Sequence, residues 1–422
     1  MNNMKNRISA GACRVLSLFL VWSLSVVSFA VAADAASLSP AHPLARHQRV
    51  KKHAQASYLE GMEMIDTQTG AVVTSTNETK LFNPASNTKL ATTLLVLQKF
   101  GPQYRFETEV RTDGTVNAQG VLTGNLFVSG QYMLFGDRQA HELAKLLNDK
   151  GIKSVTGNLY VSSVFSMNLQ FTGKDGGTKL LAVLDPQHPT AKSRRRKHAA
   201  AVMLAGPQVQ ISGIVKVGNP ADGSVLLATH VSPPLRDIVK IMLCYSDNVM
   251  AERFGEMIGG TKALNSFVVT TLGVAPQEVK FATTSGLGIN RVSPRAMIKI
   301  VTALKGELEK NQLRLADLLP VAGIDDGTMS KRLGWSGEAG SVVAKTGTLT
   351  DTDKGVSALS GEISTTGNGS YLFVIFEMHG DVNSFRQRQD NLVAQFQKDH
   401  GGPQPIVYTP ILPRIDGEDF WR

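Results

Sequence analysis

The apolar positions along this chain change period several times, and each change marks an element. Residues 15–32 are almost wholly apolar, preceded by Lys5, Arg7 and Arg14 and closed by Ala30-Val31-Ala32. That pattern predicts a cleaved signal peptide over residues 1–32, with a retained membrane anchor as the alternative. Cys13 stands before the apolar run rather than after it, which argues against a lipidated leader. Residues 33–57 carry Pro40, Pro43, His42, His47, His53 and several cations without periodicity, and predict a flexible basic leader. Residues 58–65 and 71–74 then alternate around Thr69-Gly70 as a strand pair does. The next pattern is helical: Leu90, Leu94, Leu95 and Leu97 form an apolar run opened by Pro84 and stopped by Gly101-Pro102.

From 106 to 228 the character shifts to short strands at 120–128 and 157–161 around one amphipathic helix at 139–148. Pro233-Pro234 opens a further helical stretch with Ile238, Ile241, Met242, Met250 and Phe254, and residues 356–361 and 371–376 read as paired strands. About 390 residues after processing exceed one usual domain. The pattern predicts a discontinuous domain over 58–105 and 229–400, an accessory domain inserted at 106–228, and a C-terminal tail at 401–422.

Composition alters this picture little. Removing the leader cations takes the net charge from +9 to about +6, still mildly basic. Lys192, Arg194, Arg195, Arg196 and Lys197 form the densest basic run. Such a loop can meet an anionic cell wall or membrane surface, and a plain solvated loop accounts for it as well. No nucleic-acid partner is expected. Only Cys244 remains after processing, and no Cys/His cluster has zinc spacing, so neither metal nor cofactor is expected.

The candidate chemistry lies at the start of the first helix. Ser86 and Lys89 are three residues apart, on one face and one turn from each other. A neutral lysine amine within reach of a serine hydroxyl can take its proton, and the helix N-terminus favours the developing negative charge. This Ser-x-x-Lys is the one instance in the chain. Acyl transfer of this type needs a Ser-x-Asn and a Lys-Thr-Gly downstream, in that order. Ser246-Asp247-Asn248 and Lys345-Thr346-Gly347-Thr348 supply them. Ser75-Thr76-Asn77 and Ser166-Met167-Asn168 also fit the second pattern, so order and coexistence carry the argument. To serve as a base at neutral pH, Lys89 must be partly neutral, and burial with a nearby Lys345 cation is expected to depress its pKa.

Taken with Gly101-Pro-Gln-Tyr-Arg-Phe-Glu-Thr108, Gly124-Asn-Leu-Phe-Val-Ser-Gly130, Ser232-Pro-Pro-Leu235, Ala251-Glu252, Ser285-Gly-Leu287 and Gly327-Thr-Met329, the chain resembles the class C low-molecular-mass penicillin-binding proteins, the D-alanyl-D-alanine carboxypeptidase and endopeptidase family that trims peptidoglycan. The resemblance implies an α/β (α+β) fold: a serine β-lactamase/transpeptidase-like domain, with an antiparallel sheet flanked by helices, interrupted by an inserted smaller α/β domain. It implies Ser86 as nucleophile, Lys89 as base, Ser246 as proton shuttle beside Lys345, and Asn248 on the substrate amide. Thr346, Gly347 and Thr348 would bind substrate, the two threonines its terminal carboxylate, and the backbone amides of Ser86 and Thr348 would form the oxyanion hole. The implied partners are peptidoglycan peptides and, as covalent inhibitors, β-lactams, met in the periplasm or another extracytoplasmic space. A β-lactamase and a non-catalytic penicillin-binding scaffold are the rival readings. Departures from the family pattern include Thr284 where an acidic residue usually precedes Ser-Gly-Leu, and a lengthened turn from Leu349 to Gly355. That turn is expected either to flank the departing peptide or to be a mobile solvated loop.

Overall fold

The computed structural model describes residues 58–192, 206–334, 337–367, 369–411 and 418–422. The expected signal peptide and leader, and the arginines of the basic run, lie outside these. At the centre is a five-stranded sheet in the order Val342–Leu349, Val356–Thr365, Gly369–Met378, Leu59–Asp66, Val72–Thr76. Every pairing in it is antiparallel. The first two strands of the chain thus complete a sheet begun by three of its last.

Side chains alternate faces along a strand, and here both faces are covered. Leu372, Val374 and Phe376 join the core built on the first helix, whereas Tyr371, Phe373 and Ile375 pack with Val393 and Phe396 of the helix Val382–Asp399. Burial on both sides is why 371–376 reads as an unbroken apolar run rather than an alternating one. On the first face lies a cluster of helices. Thr88–Phe100 runs through its middle, in contact with Leu235–Tyr245, Asn248–Ile258, Gly260–Thr270 and Pro294–Lys310. Leu90, Leu94 and Leu97 are fully buried there, each contributing roughly 1.5–3 kcal/mol.

The segment between the first helix and Ser232, joined by Phe420–Trp421, builds two further sheets. One has six strands in the order Val215–Val217, Leu159–Val161, Leu126–Gly130, Glu107–Thr112, Val225–Val231, Phe420–Trp421, and the other four short ones. Three features differ from the sequence expectation. Val225–Val231 extends the inserted sheet past residue 228. A second helix, Gly173–Leu184, joins Asp137–Asp149. Its Gly176 and Gly177 look like helix breakers, yet a Cβ on Gly177 would lie 2.7 Å from Val215 Cγ1, so the missing side chain lets the helix sit down on the sheet.

The third feature lies in the C-terminal segment, where the described residues of the expected tail make specific contacts. Pro403 bridges to Thr365, and the Tyr408 hydroxyl donates to Asp325 at 2.8 Å. Phe420–Trp421 then adds an edge strand to the inserted sheet by pairing with His230 and Val231. Asp419 is buried there, accepting hydrogen bonds from Arg138, from Gln139 at 2.7 Å and from His230 at 3.1 Å. Burial pushes its carboxyl up, but those three donors outweigh it and hold the group down at about 2.

Candidate active site

The Ser86 turn is shaped by contacts from three directions. Residues Ala85–Asn87 form a single 3-10 turn ahead of the α-helix, so Ser86 lies just before that helix and Lys89 in its first turn. Ala85 is left-handed at φ +45°, a conformation that costs a non-glycine residue on the order of 1–2 kcal/mol. Asn83 holds it by accepting from the Ala85 amide at 3.1 Å while donating to the Gly288 carbonyl at 2.9 Å. Two glycines press close: a Cβ on Gly286 would meet the Ala85 carbonyl oxygen at 1.9 Å, and one on Gly347 the Pro84 carbonyl oxygen at 2.7 Å. Gly347 therefore lets the edge strand Val342–Leu349 lie directly beside the serine turn.

Lys89 is fully buried and donates to Ser86 Oγ at 3.0 Å, Asn248 Oδ1 at 2.7 Å and the Ser285 carbonyl at 2.7 Å. Three acceptors use the three hydrogens of an ammonium, and a neutral amine would turn its lone pair to the Ser86 hydroxyl, which alone of the three can donate. Burial lowers its pKa to about 7, with Asp247 and Glu252 pushing it back up. Of the two causes expected from sequence, burial and the Lys345 cation, burial is the one that lowers it. Glu252 also anchors the third acceptor: it receives the Ser285 amide at 2.9 Å and the Thr284 hydroxyl at 2.6 Å. The threonine that replaces the expected acid is thus tied to an acid on the neighbouring helix.

Ser246 is the left-handed residue, φ +56°, that separates the helices Leu235–Tyr245 and Asn248–Ile258. Asp247 caps the second helix by accepting from the Met250 amide at 2.8 Å. The break turns Ser246 towards the edge strand, where Lys345 Nζ donates to Ser246 Oγ at 2.8 Å and to the Thr346 carbonyl at 2.6 Å. Lys345 is fully buried, and burial, reinforced by the charge of Lys89, lowers its pKa well below the ordinary lysine range. The five motif side chains form two hydrogen-bonded groups, Ser86–Lys89–Asn248 and Ser246–Lys345, and Ser86, Ser246 and Asn248 face one cleft.

Above them opens a cleft of 520 Å³ whose walls include Ser86, Ser246, Asn248, Thr346 and Thr348. Sequence reasoning missed three of its supports. Arg386, on the last helix, donates to Thr348 Oγ1 at 2.9 Å. Arg332 is held by Asp390 at 3.0 Å and by Gln389 at 3.2 Å. The long turn after Leu349 is anchored, because Asp353 accepts from Arg291 at 2.7 and 2.9 Å and from Asn83 at 2.8 Å. Through Asp353 the turn is tied to Asn83, which holds the serine turn at Ala85, while Asp351 and Lys354 are exposed. A larger depression, 730 Å³ between Phe100, Tyr104 and the inserted sheet, contains none of the motif residues.

Known proteins share this arrangement of elements. Residues 47–176 and 181–398 match the model of the D-Ala-D-Ala carboxypeptidase 3 (S13) family. The chain is 30% identical over 207 residues to D-alanyl-D-alanine carboxypeptidase DacB of Haemophilus influenzae, across 45% of this chain and 41% of that protein. It is 29% identical over 197 residues to carboxypeptidase DacB of Mycolicibacterium smegmatis, across 42% of each. It thus spans about two fifths of the length of these curated relatives. Among solved structures, penicillin G-acylated Bd3459, a predatory endopeptidase of Bdellovibrio bacteriovorus, superposes with a TM-score of 0.68 at 25% identity, over 84% of this chain and 96% of that one. Penicillin-binding protein 4 of Haemophilus influenzae gives 0.62 at 22% identity, over 81% and 96%. The chain has the serine β-lactamase/transpeptidase-like fold of these neighbours. With all three motifs inside the matched residues, the chain belongs to the D-Ala-D-Ala carboxypeptidase 3 (S13) family.

Proposed function

We propose that this protein is a serine-type D-Ala-D-Ala carboxypeptidase or endopeptidase that acts on peptidoglycan stem peptides through an acyl-enzyme on Ser86 and is acylated by penicillins. The observation that carries the reading is the Lys89 amine, buried against the Ser86 hydroxyl at 3.0 Å with its pKa brought to about 7. Burial disfavours charge on both amines, and the charge of Lys89 further disfavours it on Lys345; the reaction starts from the form in which Lys89 is neutral and Lys345 holds the one proton. Ser86 Oγ attacks the carbonyl carbon of the scissile bond while its proton passes to Lys89. The backbone amides of Ser86 and Thr348 receive the oxyanion, each donor worth about 3 kcal/mol in related acyl transfers. Collapse breaks the carbon–nitrogen bond, and the leaving nitrogen takes a proton from Ser246, which Lys345 replaces across 2.8 Å. In deacylation a water attacks the ester and returns a proton through Ser246 to Lys345, while Lys89 reprotonates Ser86 Oγ. The cycle closes with no net proton gained.

Asn248, whose Oδ1 is occupied by Lys89, would offer its amide nitrogen to the substrate. Thr346, Gly347 and Thr348 would bind the substrate along the edge strand, the threonine hydroxyls taking its carboxylate. The inserted region carries none of the three motifs and, on this reading, shapes access or binds a partner. The apolar leader supports export to the periplasm or its equivalent. Among the described residues no helix is long and apolar enough to cross a membrane.

Fluorescent penicillin labelling of the wild type and of Ser86→Ala tests the proposal. The wild type is expected to form a slowly hydrolysed adduct, and Ser86→Ala none while keeping its melting temperature. Full labelling of Ser86→Ala would overturn the assignment. Rapid breakdown of the wild-type adduct would point to a β-lactamase, and no adduct to a scaffold. Digestion of defined muropeptides then separates removal of terminal D-Ala from cleavage of cross-links.

A further inference from the structure

The cleft has a charge imbalance that the acylation machinery does not use. None of the described residues lining it is acidic, whereas Lys331, Arg332 and Arg386 all reach its wall. Arg332 is already neutralised by the two oxygens of Asp390. Lys331 is exposed, a mobile point charge at the rim. Lys345 is buried and occupied by Ser246 and the Thr346 carbonyl. Arg386 is different. It is half-buried, forms no ion pair among the described residues, and directs one nitrogen at the hydroxyl of Thr348.

Its placement is rigid. The helix that carries it starts at the Asp381 cap, whose carboxylate accepts from the Ser384 amide at 2.8 Å. Phe385 is buried beneath it, and Arg386 contributes its own carbonyl to Arg332 at 3.1 Å. A guanidinium has five hydrogens to donate, and Thr348 accounts for one of them. The rest have no protein acceptor among the described residues. Because the Thr348 oxygen accepts from Arg386, its own hydrogen is free for a further acceptor in the cleft. The pair therefore presents, side by side, a hydroxyl from the strand that carries Lys345 and a planar cation from the last helix. That arrangement suits a carboxylate, which takes two parallel donors. Burial and the neighbouring Arg332 lower the pKa of Arg386 and outweigh Asp390, which raises it, so an anion in the cleft would relieve a cation that makes no direct ion pair of its own among the described residues.

We propose that Arg386, together with the Thr348 hydroxyl, binds the free α-carboxylate of the leaving residue and makes the enzyme selective for peptides that carry this anion. The proposal rests on the acyl-transfer reading above and adds a specificity residue outside the three motifs. It also explains how neutral threonines can discriminate a charged terminus, when the nearest buried lysine is already engaged.

The test compares two peptides ending in D-Ala-D-Ala, one with a free C-terminal carboxylate and one with a carboxamide, on the wild type, Arg386→Ala and Arg386→Lys. Wild type is expected to favour the acid in kcat/KM. In Arg386→Ala the acid should lose about 10- to 100-fold, as expected for a hydrogen bond between charged groups. The loss should fall mainly on KM, and the acid-to-amide ratio should collapse towards one. Arg386→Lys restores the charge without the planar fork and should recover part of the ratio. Equal losses on acid and amide would overturn the proposal, leaving Arg386 as a prop for Thr348, and so would a wild type that does not distinguish the two. Should the alanine variant not fold, the Arg386→Lys ratio decides in the same way. Penicillin labelling of the same wild-type preparation separates the two levels: labelled protein without acid preference overturns Arg386 alone, and unlabelled protein overturns the acyl-transfer reading beneath it.

Discussion

Raising the pH from 5 to 9 is expected to accelerate acylation of Ser86 by a penicillin along a titration curve centred near pH 7, where burial places Lys89. About one tenth of the amine is neutral at pH 6, half at pH 7 and nine tenths at pH 8, so the rate should climb about tenfold from pH 6 to its plateau. Glu252 pushes the pKa up, so Glu252→Gln should move the midpoint lower. The assay is the pseudo-first-order rate of fluorescent penicillin labelling at each pH. The same residue should leave a mark on stability. An unfolded lysine titrates near 10.5 and the folded one near 7, so between these values the unfolded chain binds more protons. Stability attributable to Lys89 therefore rises with pH across that window, and the penalty is complete below it. The gap corresponds to on the order of 5 kcal/mol as an upper figure, reduced by the three hydrogen bonds that the ammonium makes. Lys89→Met should abolish labelling and, by urea denaturation, gain stability relative to wild type more at pH 6 than at pH 10. A labelling rate that is flat from pH 5 to 10, or a Lys89→Met gain independent of pH, would refute the reasoning.

Two further outcomes follow from the walls of the site. Asp353→Asn weakens the paired contact to Arg291 and the tie to Asn83; it should cost about 1–2 kcal/mol in thermal denaturation and slow penicillin labelling without reducing its final stoichiometry, and an unchanged rate would show that the turn does not steady Ser86. Gly347→Ala places a Cβ 2.7 Å from the Pro84 carbonyl oxygen and 3.0 Å from Ala85 Cβ; the edge strand must move away, at about 1–3 kcal/mol, and acylation should fall at least tenfold, whereas near-normal labelling would mean that the strand and the serine turn are not tightly coupled.

What the amino-acid sequence determined by itself is local. The Ser86 and Lys89 spacing, the apolar stripe of the first helix and the strand patterns at 58–65, 356–361 and 371–376 follow from periodicities and stop signals that act within a few residues. The chemistry was legible because a proton acceptor three residues from a serine is a statement about one turn of chain. Order along the chain was enough to name the other two motifs, since each is itself a short run.

Tertiary structure decided whatever depends on groups distant in sequence. The pKa of Lys89 is set by its complete burial among Asn248, Ser285 and the acids Asp247 and Glu252, and no spacing rule encodes that burial. Arg386 and Asp353 sit in segments that look like an ordinary amphipathic helix and a polar turn. They become part of the site only because the sheet brings their segments against Thr348 and Asn83. Gly177 reads as a breaker until the sheet strands carrying Val161 and Val215, against which it packs, are known. The C-terminal residues likewise carry no periodic signal. Their position comes from an open sheet edge at His230 and Val231 and from Arg138, Gln139 and His230, which together satisfy one buried carboxylate at Asp419. Local preference can be read one turn at a time, whereas burial, electrostatic balance and edge pairing exist only once remote segments share a core.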